Sequence, residues 1–192
     1  MDRIYTIGHS NHGIEKFLAL LEQHDIETVV DVRSQPYSRF NPQFKYRALG
    51  QALEGAGIGY VFAGDGLGAR PKDPACYREG RVRFDLLARR PGFQEALARV
   101  RKAAEGSRVC LMCAEKEPLA CHRTLLVCRH LKDPGLQIRH ILADGSLEDH
   151  RDLEVRMMGR QGMDQANLFE KNPAARLEKA YDLAIAAMQR RR

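Results

Sequence analysis

The chain has 192 residues, which is enough for one domain with a sizeable core, and we predict a single domain over residues 1–192. Its composition, 44% hydrophobic and 29% charged, is typical of a soluble globular protein. The apolar runs are far too short to cross a bilayer, and their length argues against a membrane-spanning protein. The net charge of +6 is compatible with a nucleic-acid partner and equally with solvated helix surfaces. No feature of the sequence indicates an oligomeric state.

The cysteines and the first residues bear on the cellular compartment. Five cysteines are an odd number, and four of them lie between positions 110 and 128, whereas secreted disulfide frameworks spread paired cysteines along the chain. The residues Met1-Asp2-Arg3 lead directly into a strand-like segment, so no secretory signal is visible. We therefore predict a cytoplasmic protein with free thiols.

Apolar strand-like runs alternate with helical patterns along the chain. Strands are predicted at residues 4–7, 28–32, 60–62, 109–112 and 137–142. Helices are predicted at residues 14–21 and 44–56, from Pro91 to Gly106, and from Pro118 onward. Residues 64–68 begin a long connection that is typical of a functional loop or a poorly ordered segment. Residues 151–172 are predicted to be irregular or peripheral, and residues 173–192 to form a C-terminal helix capped by Asn172.

This alternation predicts an α/β fold with a largely parallel β-sheet sandwiched by helices, in a Rossmann-like three-layer arrangement. Ligands of such sheets bind beyond the carboxyl ends of the strands. The polar residues at or just after these predicted strand ends are His9, Ser10, Asp31, Arg33, Ser34, Cys113 and Glu115. We therefore expect one site at this edge of the sheet.

The segment from Arg108 to Arg129 carries the strongest signal. The thiol of Cys113 and the carboxylate of Glu115 leave a buried strand, and Cys121-His122-Arg123 follow close behind. A helix N-terminus and neighbouring cations lower the pKa of a thiol, so Cys113 or Cys121 is a candidate nucleophile. Glu115 and His122, together with His9, are candidates for proton transfer. The structural alternative is a buried Cys113 beside a Glu115–Arg123 ion pair.

Guanidinium groups suit a phosphate or carboxylate ligand because their N–H groups bind it in pairs. Arg33, Arg39 and Arg123 are candidates to hold such an anion. The neighbouring substrate-binding candidates are Ser10, Asp31 and Ser34, although Asp31 also suits a local pair with Arg33.

Metal and cofactor motifs are not supported. Cys110 and Cys113, together with Cys121 and His122, superficially resemble a zinc ligand set. Side chains three apart in a strand face opposite sides, and no second well-spaced ligand pair exists, so we predict no structural zinc and assign no metal ligands. The glycine-rich residues 64–68 lack a Walker ending and a following helix, which favours a flexible turn and leaves the cofactor unknown.

The residues Gln165, Leu168 and Phe169 form a Gln-x-x-Leu-Phe pattern. It resembles the short peptide by which bacterial DNA-processing proteins bind the DNA sliding clamp, with Leu168 and Phe169 in an apolar groove. Ala166 stands where that peptide often has leucine. The alternative is that Leu168 and Phe169 pack onto the core.

Several of these motifs together resemble one known family. The residues are Tyr5-Thr6-Ile7-Gly8-His9-Ser10, Asp31-Val32-Arg33-Ser34, Leu67-Gly68, and Cys113-Ala114-Glu115 with Cys121-His122-Arg123. Their order and spacing resemble the bacterial domain of unknown function 488 family (DUF488). The resemblance implies a compact α/β sandwich with a shared polar site, and it supplies no activity. Rhodanese domains are only partly similar. Their catalytic cysteine begins a tight loop that closes on an arginine or lysine about five residues later, whereas Arg123 lies ten residues after Cys113.

Three functions follow as hypotheses. The first is an enzyme that acts on a phosphate-bearing substrate, either nucleic acid or a nucleotide. The second is a thiol or sulfur transferase with rhodanese-like chemistry, which requires a reactive thiolate. The third is a non-catalytic adaptor that binds DNA or the sliding clamp.

Overall fold

The structure is a computed structural model that describes residues 2–163 and 172–190. The strands are β1 (Asp2–Gly8), β2 (Thr28–Asp31), β3 (Gly59–Phe62), β4 (Tyr77–Arg78), β5 (Arg81–Val82), β6 (Val109–Cys113), β7 (Leu136–Ile141) and β8 (Leu147–Asp149). Within the described residues, a six-stranded sheet has the order β3-β2-β6-β1-β7-β8. Only β8 pairs antiparallel in this sheet, and β4 and β5 form a separate hairpin. The predicted, largely parallel α/β architecture is confirmed.

The helices connect these strands in chain order. They are α1 (Ile14–Glu22), α2 (Tyr46–Gly55), α3 (Gly64–Leu67), α4 (Phe84–Ala88), α5 (Pro91–Ala104), α6 (a π-helical turn, Arg123–Cys128, continued by Arg129–Leu131), α7 (His150–Gly159) and α8 (Pro173–Arg190). Among the described helices, none has both the length and the apolar character that crossing a membrane requires.

Two apolar cores form because successive strand residues point to opposite faces of the sheet. Val29 packs on the side that holds α1 and α2, and its neighbour Val30 packs on the side that holds the later helices. The side chains of Cys110 and Cys113 also lie on opposite faces of the sheet, as the sequence predicts. The result is the predicted three-layer sandwich.

The chain reverses its winding direction between β1 and β6. Helix α1, which follows β1, packs on one face of the sheet, whereas α6, which follows β6, packs on the other. These two strands are neighbours in the sheet, so the connections beyond their carboxyl ends diverge and leave a crevice. The fold therefore places its natural binding position directly after Gly8 and Cys113.

Three local predictions are wrong. The segment predicted as a flexible turn contains the short helix α3 (Gly64–Leu67). Gly66 has no side chain, so α3 can pack closely against Gly92 and Ala96 of α5. Pro118 begins only a 3₁₀ turn (Pro118–Ala120), and the helix starts at Arg123. The segment predicted as irregular contains α7, where the Asp149 side chain caps the helix. The sequence gives little helical signal there, because the apolar residues of α7 are few.

The predicted clamp-binding residues, Gln165, Leu168 and Phe169, lie outside the described residues.

A directed chain of hydrogen bonds crosses the buried side of β7. The Thr6 hydroxyl donates to His140 Nδ1 (2.8 Å), and His140 Nε2 donates to His150 Nδ1 (2.9 Å). His150 Nε2 donates to the Tyr181 hydroxyl (3.1 Å), which itself donates to Glu154 (2.6 Å). With these tautomers each imidazole donates through one nitrogen and accepts through the other, which corresponds to two neutral rings. Burial accordingly lowers the pKa of His140 well below its usual range and that of His150 to about 4.

We predict that acid weakens the fold through these two histidines. Unfolded histidines bind protons below about pH 6.5 whereas the folded ones do not, so their contribution to the free energy of unfolding is complete above pH 6.5. It falls as the pH drops toward 4, by up to about 1.4 kcal/mol per pH unit for each histidine. The imidazole NMR signals of His140 and His150 should stay unchanged between pH 7.5 and pH 5. A midpoint near 6.5 at either position would contradict the neutral network.

Candidate functional site

Backbone hydrogen bonds join the segments that follow β1, β2 and β6. In the parallel register, Gly8 lies opposite Cys113. The N–H of His9 then donates to the Cys113 carbonyl (2.8 Å), and the N–H of Ser10 donates to the Ala114 carbonyl (2.9 Å). On the other side of β6, the N–H of Val32 donates to the Met112 carbonyl (3.0 Å). Polar residues far apart in sequence are therefore held together at one edge of the sheet.

These segments surround a cavity of about 300 Å³. The predicted site residues that line it are His9, Ser10, Arg33, Ser34, Cys113, Glu115 and His122. The polar part of the wall is completed by Gln35, Tyr37, Ser38, Asn41 and Arg70. The expected convergence on a single accessible hollow is thus present.

Two thiols, a carboxylate and an imidazole form a compact cluster at this cavity. The thiols of Cys113 and Cys121 both donate to Glu115 Oε2, at 3.0 and 3.1 Å. Cys113 Sγ also lies 3.5 Å from His122 Nδ1. The four potential ligand atoms of Cys113, Glu115, Cys121 and His122 lie within 4.8 Å of one another. Cys121 is completely buried on the side of the cluster away from the cavity.

Burial and mutual hydrogen bonds set the charges of the cluster. Burial raises the pKa of Cys113, and its hydrogen bond with Cys121 adds to this effect. Burial opposes ionisation of Cys121 as well, but the single S–H of Cys113, which can turn from Glu115 to a Cys121 thiolate, and the charge of Arg123 outweigh burial and lower the pKa of Cys121. Burial also opposes the ionised form of Glu115, yet the two thiol hydrogen bonds hold its pKa at about 2. The cluster therefore favours negative charge.

Arg123 lies beneath this cluster and is completely buried. Its guanidinium donates to the carbonyl oxygens of Glu115 (2.5 Å) and Lys116 (3.4 Å) and to the Thr6 hydroxyl (3.3 Å). Arg123 thus holds the loop after β6 against β1, and its charge lies close to both thiols. It does not line the cavity, so the predicted role in binding a substrate anion is wrong. Consecutive residues of a helix point in different directions, so Arg123 faces the core although its neighbour His122 lines the cavity.

Arg33 is held at the cavity by buried partners on two sides. Its Nε and Nη2 donate to the Asp31 carboxylate, with the Nη2–Oδ2 distance at 2.6 Å, and Asp31 also accepts from the Tyr60 hydroxyl (2.8 Å). Nη1 of Arg33 donates to His9 Nε2 (3.2 Å), and His9 Nδ1 donates to the Ser10 carbonyl (2.8 Å). Burial and the charge of Arg33 lower the pKa of His9 to about 4. His9 is therefore neutral and helps to orient Arg33. This position does not fit the proton-transfer role that the sequence predicts for His9.

Other predicted residues occupy different positions from those expected. Asp31 is completely buried and acts through Arg33. Arg39 is exposed and is not among the residues that line the described cavity. Arg70, which the sequence reasoning missed, lines the cavity instead, and its backbone N–H donates to Ser34 Oγ (2.9 Å). Its only sequence signal is that it follows the glycine-rich segment after β3.

The comparisons with known proteins agree with the family resemblance. A family model described as "Domain of unknown function DUF488" matches residues 13–129, which is more than half of the chain. The match includes Arg33 and the whole Cys113–His122 cluster, whereas His9 and Ser10 precede it. No curated protein and no solved structure matches the chain.

We predict that Gly8→Ala disrupts the site. A Cβ at position 8 would lie 2.0 Å from the Glu115 carbonyl oxygen, so the loop after β6 must move. Overpacking of this kind costs roughly 1–3 kcal/mol of unfolding free energy. Gly55→Ala is the matched control, because a Cβ there meets no atom of the described structure within 4 Å. Urea denaturation of both variants measures the difference, and equal stability would contradict the close approach.

Proposed function

This chain belongs to the DUF488 family, and we propose that it is an enzyme that acts on a phosphate-bearing substrate, in the class of nucleotides and nucleic acids. The observation that carries the proposal is the cavity of about 300 Å³, which has arginines on one wall and the thiol–carboxylate–imidazole cluster on another. An enzyme needs both features within reach of one substrate, one to position it and one to react.

The arginine wall supplies donors suited to a phosphate group. Arg33 donates to Asp31 and His9 and also lines the cavity, so the part of its guanidinium that faces the cavity can donate to a ligand there. The paired Asp31 balances the charge of Arg33 and keeps its guanidinium in one orientation. The exposed guanidinium of Arg70 adds a positive charge, and the side chains of Ser10, Ser34 and Ser38 add hydroxyl groups. Together these groups match the several acceptor oxygens of a phosphate.

The opposite wall supplies groups for proton transfer. Glu115 is ionised at neutral pH because its pKa is about 2. Burial lowers the pKa of His122, but the hydrogen bond and charge of Cys121 outweigh burial and leave it above the usual range. His122 can therefore donate a proton while Glu115 orients a nucleophile in the same cavity. In this proposal Arg33 and Arg70 bind the substrate, and Glu115, His122 and Cys113 face its reacting atoms.

Sulfur or thiol transfer is a second candidate, favoured by the two thiols that share Glu115. The phosphate-directed function has more support, because the thiol with the lowered pKa, Cys121, is completely buried. The thiol that lines the cavity, Cys113, has a raised pKa instead. A transferase needs its accessible thiol to ionise readily.

We expect Arg70→Gln to weaken phosphate binding without loss of the fold, because Arg70 is exposed at the rim. A hydrogen bond to a charged group contributes roughly 1.5–3 kcal/mol, so binding of nucleoside monophosphates should fall about tenfold or more. Calorimetry would measure binding, and release of phosphate or of nucleotide products would measure turnover on monoesters, diesters and oligonucleotides. For Arg70→Gln, KM should rise while kcat changes little.

Arg39→Gln is the matched control, since Arg39 is an exposed arginine of the neighbouring loop that does not line the described cavity. It should leave binding and KM unchanged. Equal effects of the two substitutions would contradict a phosphate site at this wall, and the absence of turnover on every phosphate ester would contradict the enzyme proposal.

The sliding clamp remains a proposed partner, through Gln165, Leu168 and Phe169. We predict that Leu168→Ala combined with Phe169→Ala abolishes binding of the full chain to a bacterial sliding clamp, because the two apolar side chains would be lost from the groove. Surface plasmon resonance measures this interaction. Arg70→Gln, which changes only the cavity rim, should bind the clamp normally, and clamp binding by the double variant would contradict the proposal.

A further inference from the structure

The thiol–carboxylate–imidazole cluster is a possible ligand set that differs from the one the sequence suggests. The sequence suggests Cys110 and Cys113 with Cys121 and His122, but Cys110 and Cys113 face opposite sides of the sheet, as predicted. The structure instead brings Cys113 together with Cys121, which lies eight residues later. We propose that Cys113, Cys121, His122 and Glu115 bind one thiophilic divalent cation, with zinc as the ion of choice. The proposal rests on the proposed function at the same cavity and revises its proton-transfer step: with an ion bound, His122 and Glu115 would be ligands, and Arg33 and Arg70 would still bind the substrate.

The spacing of the four groups fits a tetrahedral ion. Zinc–sulfur bonds of about 2.3 Å and zinc–nitrogen or zinc–oxygen bonds of about 2.0 Å place neighbouring ligand atoms roughly 3.3–3.8 Å apart. Here Glu115 Oε2 lies 3.0 and 3.1 Å from the two sulfur atoms, and His122 Nδ1 lies 3.5 Å from Cys113 Sγ. All four atoms lie within 4.8 Å of one another, so side-chain rotations can bring them around one ion.

His122 is already oriented as a ligand. Its Nε2 lies 2.9 Å from the Val32 carbonyl, which can only accept, so Nε2 carries the proton. In the neutral ring the lone pair then lies on Nδ1, the nitrogen that faces Cys113. A ligand histidine commonly donates its second nitrogen to a carbonyl in this way, which fixes both the tautomer and the ring orientation.

Rigid elements hold the other ligands. Cys113 is the last residue of β6, and Cys121 follows a 3₁₀ turn in which its own N–H donates to the Pro118 carbonyl (3.2 Å). The N–H of Arg123 lies 3.4 Å from Cys121 Sγ and donates to it, as outer partners of metal-bound thiolates do. The site therefore requires no large rearrangement of the backbone.

The buried charges also support a cation. Two ligand thiolates and the Glu115 carboxylate carry three negative charges, which a divalent ion and the buried guanidinium of Arg123 balance. Sulfur ligands select zinc over magnesium or calcium, which prefer oxygen.

The position of the cluster suggests what the ion does. Cys113, Glu115 and His122 line the cavity whereas Cys121 does not, so the ion lies at the cavity floor. Three ligands of sulfur and nitrogen with a displaceable fourth position are typical of catalytic zinc. Glu115, the ligand on a loop, would hold the fourth position, which water or a phosphate oxygen could take in its place. Such an ion polarises the oxygen it binds.

Zinc content and affinity of the full chain test the proposal directly. The chain, stripped with a chelator and reloaded, should bind about one zinc ion, measured by mass spectrometry and by competition with a chromophoric chelator. Cobalt substitution should produce sulfur-to-metal charge-transfer absorption. Cys113→Ser and Cys121→Ser should weaken zinc binding by more than about 100-fold, because loss of only an outer partner costs roughly 10- to 100-fold.

Cys110→Ser is the matched control, since Cys110 is a fully buried thiol of the same strand that faces the opposite core. It should retain zinc affinity and the cobalt absorption. If the cysteine variants do not fold, the wild-type chain supplies the test, because zinc should raise the Tm of the stripped chain. The substitution His122→Gln, which removes the imidazole ligand, should abolish this rise in Tm.

The proposal is overturned if the stripped chain binds no zinc, or if Cys121→Ser binds it as tightly as Cys110→Ser. It is also overturned if iodoacetamide alkylates Cys113 rapidly at pH 6 in the presence of zinc, which is the behaviour of a sulfur transferase. The phosphate-directed function fails separately, through unchanged phosphate binding by Arg70→Gln. Zinc binding without phosphate binding would leave the metal site and remove only that function.

Discussion

The site depends on one close approach, that of the Glu115 carbonyl oxygen to Gly8. A side chain at position 8 would begin 2.0 Å from that oxygen, so only glycine allows the loop after β6 to fold back over β1. The buried guanidinium of Arg123 then binds the same carbonyl from below (2.5 Å). With its main chain held on both sides, Glu115 has its carboxylate directed at the thiols of Cys113 and Cys121.

Buried charge is the second constraint, and the molecule satisfies it by fixed pairing. Asp31 holds Arg33, and the neutral ring of His9 stacks on Phe44 (4.2 Å between centroids) while it accepts from the same guanidinium. Removing a partner from such a pair leaves an unpaired buried charge, which is far more costly than the pair itself. Arg33 is therefore held in one orientation at the cavity, and such preorganisation lowers the entropy cost of binding a ligand.

A hydrogen-bonded chain joins this site to the opposite side of the domain. Nε of Arg123 donates to Thr6, and the bonds continue through His140 and His150 to Tyr181 on α8. Every donor in the chain points the same way, so the protonation of each member depends on its neighbours. The C-terminal helix is thereby linked to Arg123, the residue that holds the loop after β6.

The sequence by itself determined the alternation of strands and helices, and hence which residues lie at the carboxyl ends of the parallel strands. Because that edge follows from local periodicity, His9, Arg33, Cys113 and Glu115 could be assigned to one site without coordinates. Only the tertiary structure decided how the side chains turn there. The π-helical turn after His122 sends Arg123 into the core, and the path of the loop after β3 brings Arg70 to the rim where Arg39 was expected. The pairing of Cys121 with Cys113 also depends on the fold, since the geometry of the intervening loop is set by contacts with β1 and not by residue spacing.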